Sequence, residues 1–212
     1  MKRYVDLKLR PSSESELPSM IEEARRAGFS AVGVVSPSSD LPEFRGIDLV
    51  PVAEVEGLRR PRGRYAYVSA VPRDLSEARS LSKARWVDAL VLPAPRKTIL
   101  LDSPTARFLN MRRSLVEIRL SDLLSVPPAQ LSESLRILRL ELSVARKYGV
   151  PLVLTSGASS PVDVMQPIVL ASLASSLLGI PWHSAVASLS DIPAMVLSGE
   201  LRLSKRGVLR EA

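Results

Sequence analysis

The densest chemistry in this 212-residue chain is cationic. Arg59-Arg60-Pro61-Arg62-Gly63-Arg64 sets four arginines in six residues, on a stretch that Pro and Gly hold open. Planar guanidinium forks match phosphate oxygens two at a time, so such a segment can follow a nucleic-acid backbone. Arg96, Lys97, Arg107, Arg112 and Arg113 continue the same sign. Between Arg59 and Arg113 thirteen Lys and Arg face four acids (Asp74, Glu77, Asp88, Asp102), a local net of +9 in a chain whose net charge is +7. From Gly149 to Leu201 there is no Lys or Arg. Segregated charge is the footprint of a surface that meets phosphates. An arginine-biased proteome decorating an ordinary surface would give a similar count, and here Arg outnumbers Lys 23 to 6.

Acid–base and metal chemistry have fewer candidates. Glu54 and Glu56 stand two apart on one strand face, where two carboxylates could share a metal or a proton. The simpler alternative is that they point at Arg59 and Arg60. Thr155-Ser156-Gly157-Ala158-Ser159-Ser160, between a strand and a helix, could cradle a phosphate with its N–H groups, or be a tight turn rich in caps. The chain has no cysteine and one histidine, which excludes thiolate and two-histidine metal sites. His183, in an apolar setting after Trp182, reads as a satisfied or partly buried histidine rather than a ligand.

The elements that would position these groups alternate. Strands are expected at Tyr4–Leu9, Ala31–Val35, Leu49–Val55, Tyr65–Val71, Val87–Leu92, Leu115–Leu120 and Pro151–Thr155. Between them run a helix with Leu17, Met20, Ile21 and Ala24 at helical spacing, one capped by Asp74 and reaching about Ala84, and one beginning near Pro104. A long helix carries Leu131, Leu135, Leu138, Leu142 and Ala145 and stops at Gly149; another spans about Val162–Leu178. From Gly179 to Gly199 the pattern is apolar and ambiguous, and an eighth strand is poorly marked.

Such alternation means a parallel sheet, either a (β/α) barrel or an open doubly wound sheet. Two charged strand faces favour the barrel. Tyr4–Leu9 puts Val5, Leu7 and Leu9 on one face and Asp6 and Lys8 on the other; Leu115–Leu120 opposes Val116, Ile118 and Leu120 to Leu115, Glu117 and Arg119. An open sheet covered on both faces would prefer continuous apolar strands. A closed interior could pair these charges, with Asp6 and Glu117 as structural members. In a barrel, functional groups gather at the C-terminal ends of the strands; here these include Lys8, Arg10, Glu54, Ser69, Arg96, Arg119 and Thr155.

Hydrophobic residues make up 46% and charged residues 24%, ordinary for a folded protein. One barrel domain over residues 1–212 is expected, with about 203–212 as a candidate flexible basic tail. The amino terminus becomes charged before an apolar signal could form. The stretch 164–182 comes closest to a membrane span, but Gln166, Pro167 and several serines make it a buried helix. A soluble, cytoplasmic protein is expected.

The opening VDLKL, the helix end AGFSAVGV, the pair LLDSPTARFLN and VEIRL, and the strand and loop VPLVLTSGA keep their order along roughly the whole chain. Together they resemble the family of protein component 3 of archaeal ribonuclease P, counterpart of a subunit of eukaryotic RNase P and RNase MRP. The resemblance implies a single-domain, TIM-barrel-like α/β fold related to the polymerase and histidinol phosphatase (PHP) metal hydrolases. The His-x-His metal motif of those enzymes falls on Lys8 and Arg10, so the ligands are missing. It further implies that the RNA subunit performs the cleavage maturing the 5′ end of precursor tRNA and needs Mg. The protein itself binds no cofactor, contributes no catalytic residue and pairs with a second small protein subunit. Carried over, Lys8, Arg10 and Arg119 are basic groups at the barrel mouth. With Arg59, Arg60, Arg62, Arg64, Arg96, Lys97, Arg107, Arg112 and Arg113 they form the expected RNA-binding set. The alternative is a small-molecule phosphoesterase or aldolase, with Glu54, Glu56 and the 155–160 loop holding a phosphorylated substrate.

Overall fold

The computed structural model describes residues 3–36 and 41–200; the expected tail from about 203 lies outside the described residues. Seven strands pair in sequence order, every neighbour parallel: β1 (Tyr4–Leu9), β2 (Phe29–Val35), β3 (Asp48–Glu56), β4 (Tyr67–Val71), β5 (Ala89–Val91), β6 (Leu115–Arg119) and β7 (Leu152–Thr155). Sequential order with parallel pairing curls the sheet toward a barrel, as the charged strand faces predict.

The helices begin and end where the local chemistry demands. α1 (Leu17–Ala27) has Pro18 in its first turn and stops at Gly28, whose φ is 100°. α2 (Leu75–Lys83) and α3 (Ser103–Arg112) are capped by Asp74 and Asp102, whose carboxylates accept from the N–H groups of Glu77 at 2.8 Å and Thr105 at 2.9 Å. The short α4 (Leu120–Leu124) takes Leu120 out of the sixth strand, yet that side chain still packs into the outer core. α5 (Pro128–Lys147) buries Leu138, Leu142 and Ala145, with Leu131 and Leu135 half-buried against the same core.

The carboxy-terminal third departs from expectation. α6 begins at Pro167 and runs to Leu178; residues 161–163 instead form a separate 3-10 turn closed by a reciprocal Ser160–Asp163 capping box. Proline cannot donate inside a helix, so Pro167 starts one rather than sitting within it. The ambiguous stretch after 179 is two short helices, α7 (Trp182–Ala187) and α8 (Asp191–Leu197), and no eighth strand occurs among the described residues.

The gap where an eighth strand would close the barrel is sealed by other means. At one end, Val5 N donates to Leu189 O at 2.8 Å and Leu154 N to Ser188 O at 3.2 Å. At the other, Arg10 N donates to Ala158 O at 2.8 Å and Ser12 N to Ser159 O at 3.3 Å. The 155–158 run is therefore buried and acts as the seam between β7 and β1, not as a phosphate cradle. Ser156 N donates to Asp6 at 3.1 Å and Ala158 N to Ser156 Oγ at 3.1 Å, so both N–H groups are spent. Gly157 is required here: its φ is 64°, and a Cβ would lie 2.4 Å from Ser121 Oγ.

Inside the barrel the residues form layers. Val5, Leu7, Ala31, Val52, Tyr67, Ala89, Leu115 and Val153 make an apolar floor, and Val196 of α8 packs against it from below. Two residues further along the strands come Glu54, Ser69, Glu117 and Thr155, so the same inward faces turn polar toward the mouth. The alternation expected for β1 breaks, because its register with β2 is irregular between Asp6 and Leu9. Val5 and Leu7 join the inner cluster, while Leu9 joins the outer one with the helices.

Candidate nucleic-acid interface

The polar layer is a closed ion-pair network. Lys8, fully buried, places Nζ 2.9 Å from Glu54 Oε2 and 3.1 Å from Glu117 Oε1, and also donates to Ser69 Oγ. Glu117, equally buried, accepts from Tyr67 Oη at 2.7 Å and Thr155 Oγ1 at 3.1 Å. Burial pushes the Tyr67 hydroxyl well above its usual range, which keeps it a neutral donor. One turn nearer the mouth, Arg119 Nη1 lies 2.9 Å from both Glu54 oxygens while its Nε donates to Asp122 at 2.8 Å. Arg10 Nε, half-exposed, stands 3.5 Å from Glu54. Burial works to raise the Glu54 carboxyl, but Lys8, Arg119 and Arg10 outweigh it and hold it down at about 2.

Asp6 does not belong to this network. Its carboxylate sits at the seam and accepts backbone N–H groups from Lys8 at 3.1 Å and Ser156 at 3.1 Å, with the Ser156 hydroxyl also beside it. Burial dominates and pushes its pKa up to about 6 despite those bonds. Pairing of Asp6 with a cation, suggested by the strand pattern, is thus replaced by peptide donors.

These distances redirect three of the expected phosphate contacts. Lys8 has no exposed surface, and Arg119 is nearly buried with its donors committed to Glu54 and Asp122. Arg96 is also nearly buried and pairs with Glu141, whose Oε1 also accepts from Leu100 N and Leu101 N. Burial lowers the Arg96 guanidinium to about 10. A buried charge is retained by its partner, and taking it to a phosphate would leave a carboxylate stranded. Tyr67, Asp122 and Glu141 are members that sequence reasoning missed. Asp122 had a signal, three residues after Arg119; Tyr67 lay two residues before Ser69 on an inward face.

Acid–base chemistry fits the mouth poorly. Glu54 is fixed as an anion by its cations, and Glu56 is exposed at the end of β3. Among the described residues, no group of three or more His, Asp or Glu is placed to hold a metal. Lys8 and Arg10 put cations where a His-x-His motif would supply ligands, so the residues present do not fit the hydrolase metal site. His183 is exposed on α7 rather than partly buried.

The remaining basic residues lie outside. Arg59, Arg60, Arg62 and Arg64 are exposed on the 57–66 crossover from β3 to β4, which contains no helix. Among the described residues none of the four forms an ion pair, and neither do Lys97, Arg112 or Arg113. Arg107 lies over the Tyr148 ring, 5.5 Å from its centroid. Because strands β3 to β6 follow one another around the sheet, their crossovers occupy adjacent sectors of the outer wall. The loop arginines and the α3 arginines therefore flank α2, which adds Lys83, while its Arg79 is already paired with Asp102. The sectors built from residues 149–200 carry no Lys or Arg.

No protein-family model matches the chain. It is 27% identical over 206 residues to ribonuclease P protein component 3 of Methanosarcina barkeri, covering 89% of this chain and 85% of the relative. To ribonuclease P protein component 3 of Methanothermobacter thermautotrophicus it is 30% identical over 197 residues, covering 92% of this chain and 74% of the relative. The chain belongs to the ribonuclease P protein component 3 family. With that membership comes the role of a protein subunit of ribonuclease P. The fold agrees: a chain from the cryo-EM structure of archaeal ribonuclease P with mature tRNA superposes with a TM-score of 0.71 at 16% identity, over 97% of this chain and 93% of that one. A prolidase crystal structure also shares the barrel, with a TM-score of 0.57 at 12% identity over 93% of this chain and 74% of that one. In this member of the component 3 family the barrel mouth is filled by lysine, arginine and carboxylates, and the uncommitted cations are on the outer wall.

Proposed function

We propose that this chain is a non-catalytic, RNA-contacting subunit of ribonuclease P. Its outer wall neutralises phosphates of the ribonuclease P RNA, the RNA needs Mg and performs the cleavage, and precursor tRNA is met through the holoenzyme. The observation that carries this reading is the division between two sets of cations. Those at the mouth are consumed by internal carboxylates, while Arg59, Arg60, Arg62, Arg64, Lys97, Arg107, Arg112 and Arg113 are left for an external anion. The wall from residues 149–200, with no Lys or Arg and only Asp163, Asp191 and Glu200 as charged residues, suits contact with a second small protein subunit, since depletion of charge marks the centre of protein interfaces. No helix among the described residues is long and apolar enough to cross a membrane, and action in the cytoplasm follows from the proposed role.

The test is binding of the purified chain to ribonuclease P RNA and to an unrelated RNA of equal length across a salt series. Each phosphate contact adds about 0.7–0.9 to the slope of log affinity against log salt. Replacing Arg59, Arg60, Arg62 and Arg64 with Ala is expected to flatten that slope by about 2–4 and to weaken binding at every salt concentration. An unchanged slope would remove the loop from the interface, and equal, negligible binding of both RNAs, with the partner protein added, would overturn the reading.

A further inference from the structure

The 57–66 crossover does more than display charge: with the edge of β3 it encloses an open cleft of about 500 Å³, lined by Val55, Glu56, Arg59, Arg60, Pro61, Arg62 and Tyr65. The volume falls within the roughly 300–1,000 Å³ range of small-ligand sites. We propose that this cleft binds a single unpaired guanosine nucleotide of RNA. The inference rests on the RNA-contacting reading and gives one point of that surface a base preference.

A site for backbone phosphate alone would be all cation, and this one is not. Glu56 lines it beside three guanidiniums and would repel a phosphate placed near it. Arg73, the cation nearest in sequence on its far side, is already bound to Glu77 through Nε and Nη2 at 3.1 Å each. Among the described residues Glu56 forms no ion pair, so its two oxygens remain acceptors for an incoming donor. Tyr65, Val55 and Pro61 supply apolar surface in a chain with only 4% aromatic residues. Gly63, with φ of 115°, lets the loop press on the Tyr65 ring: a Cβ there would lie 3.2 Å from Cε2. The ring is thereby braced as a platform.

A ligand that satisfies all three features carries a phosphate for the arginines, a flat face for Tyr65 and adjacent N–H donors for a carboxylate. Guanine alone among the four RNA bases places a ring N–H and an amino group side by side on one edge, matching the two oxygens of Glu56. Adenine and cytosine offer one amino group there, and uracil one ring N–H. In a duplex those guanine donors are spent on pairing, so the nucleotide must come from a loop, bulge or end, the places where proteins read RNA sequence by stacking and edge contacts.

The full-length protein is titrated by NMR with GMP, AMP, CMP, UMP and inorganic phosphate at low salt, and with ribonuclease P RNA in parallel. GMP is expected to bind about tenfold tighter than AMP or UMP, the discrimination of one good bidentate base contact. Glu56→Gln should erase that preference while leaving UMP within about twofold, because the substitution removes only the base contact. Tyr65→Leu should weaken all four nucleotides and spare phosphate. GMP binding no tighter than inorganic phosphate, or a preference that survives Glu56→Gln, overturns the proposal. If that happens while the RNA still binds in a salt-dependent way, the subunit reading stands and only the guanosine site falls. A guanosine preference without RNA binding would retain the cleft and reject the RNA-contacting role.

Discussion

Lys8 is the residue on which the barrel interior turns, and replacing it with Met isolates its charge from its bulk. Methionine is unbranched and of similar length, so it fills most of the space left by the lysine stem. The change strands two carboxylates unequally. Glu54 keeps Arg119 and Arg10, whereas Glu117, fully buried, keeps only the hydroxyls of Tyr67 and Thr155. Removing one partner of a buried pair typically costs about 3–5 kcal/mol. At a urea dependence of about 2–3 kcal/mol per molar, the unfolding midpoint should fall by roughly 1–2 M. The double variant Lys8→Met/Glu117→Gln should regain most of this loss, because the neutral amide oxygen can accept from one of the two hydroxyls while its NH2 donates to the other. Equilibrium urea unfolding of wild type, both single variants and the double variant gives the coupling directly. A cost for Lys8→Met below about 1 kcal/mol, the value of an exposed pair, would mean that water reaches the network and would refute the account of a closed mouth. RNA affinity should be unchanged in Lys8→Met, since its ammonium is not on the outer wall.

The pH dependence of stability should show two opposed carboxyl effects. The folded pKa of Asp6, about 6, lies above its unfolded value of 3.8, so its anionic form costs stability that develops as pH rises from about 4 through 6. Glu54 behaves oppositely: at about 2 in the fold against 4.5 unfolded, its contribution is present above pH 4.5 and lost as pH falls toward 2. Stability should therefore rise from pH 7 to about 5 and drop below about 4. Asp6→Asn should abolish the first change and leave the second, as thermal unfolding across pH would reveal. Gly157→Ala adds a Cβ 2.4 Å from Ser121 Oγ at a φ of 64°, and should cost about 1–3 kcal/mol in the same unfolding measurements. A cost near zero would show that the β7–β1 seam yields easily.

The legible features were local ones. Proline and glycine punctuation, the Asp74 cap and the inward alternation of Leu115, Glu117 and Arg119 depend on neighbours within a few residues, and each appears where its spacing placed it. The second long helix, read through Pro167 from residue 162, shows the limit of hydrophobic pattern: an apolar run does not mark its own start when every turn is apolar.

Composition and spacing alone determined the barrel class, the charge segregation and the scarcity of metal ligands, because these follow from residue types and from periods of two and about three and a half along one segment. Which cations were available to a partner was decided only by tertiary structure. Lys8, Arg96 and Arg119 look like Arg59 or Arg62 in sequence. They differ because carboxylates 46, 45 and 65 positions away fold against them: curling of the sheet brings Glu54 to Lys8 and Arg119, and packing of α5 brings Glu141 to Arg96. The same holds for the cleft, where Val55 and Glu56 end one strand and Tyr65 precedes the next. Parallel pairing sets the end of β3 and the start of β4 at different levels, and the helix-free crossover that runs between them lines one cleft together with Val55, Glu56 and Tyr65.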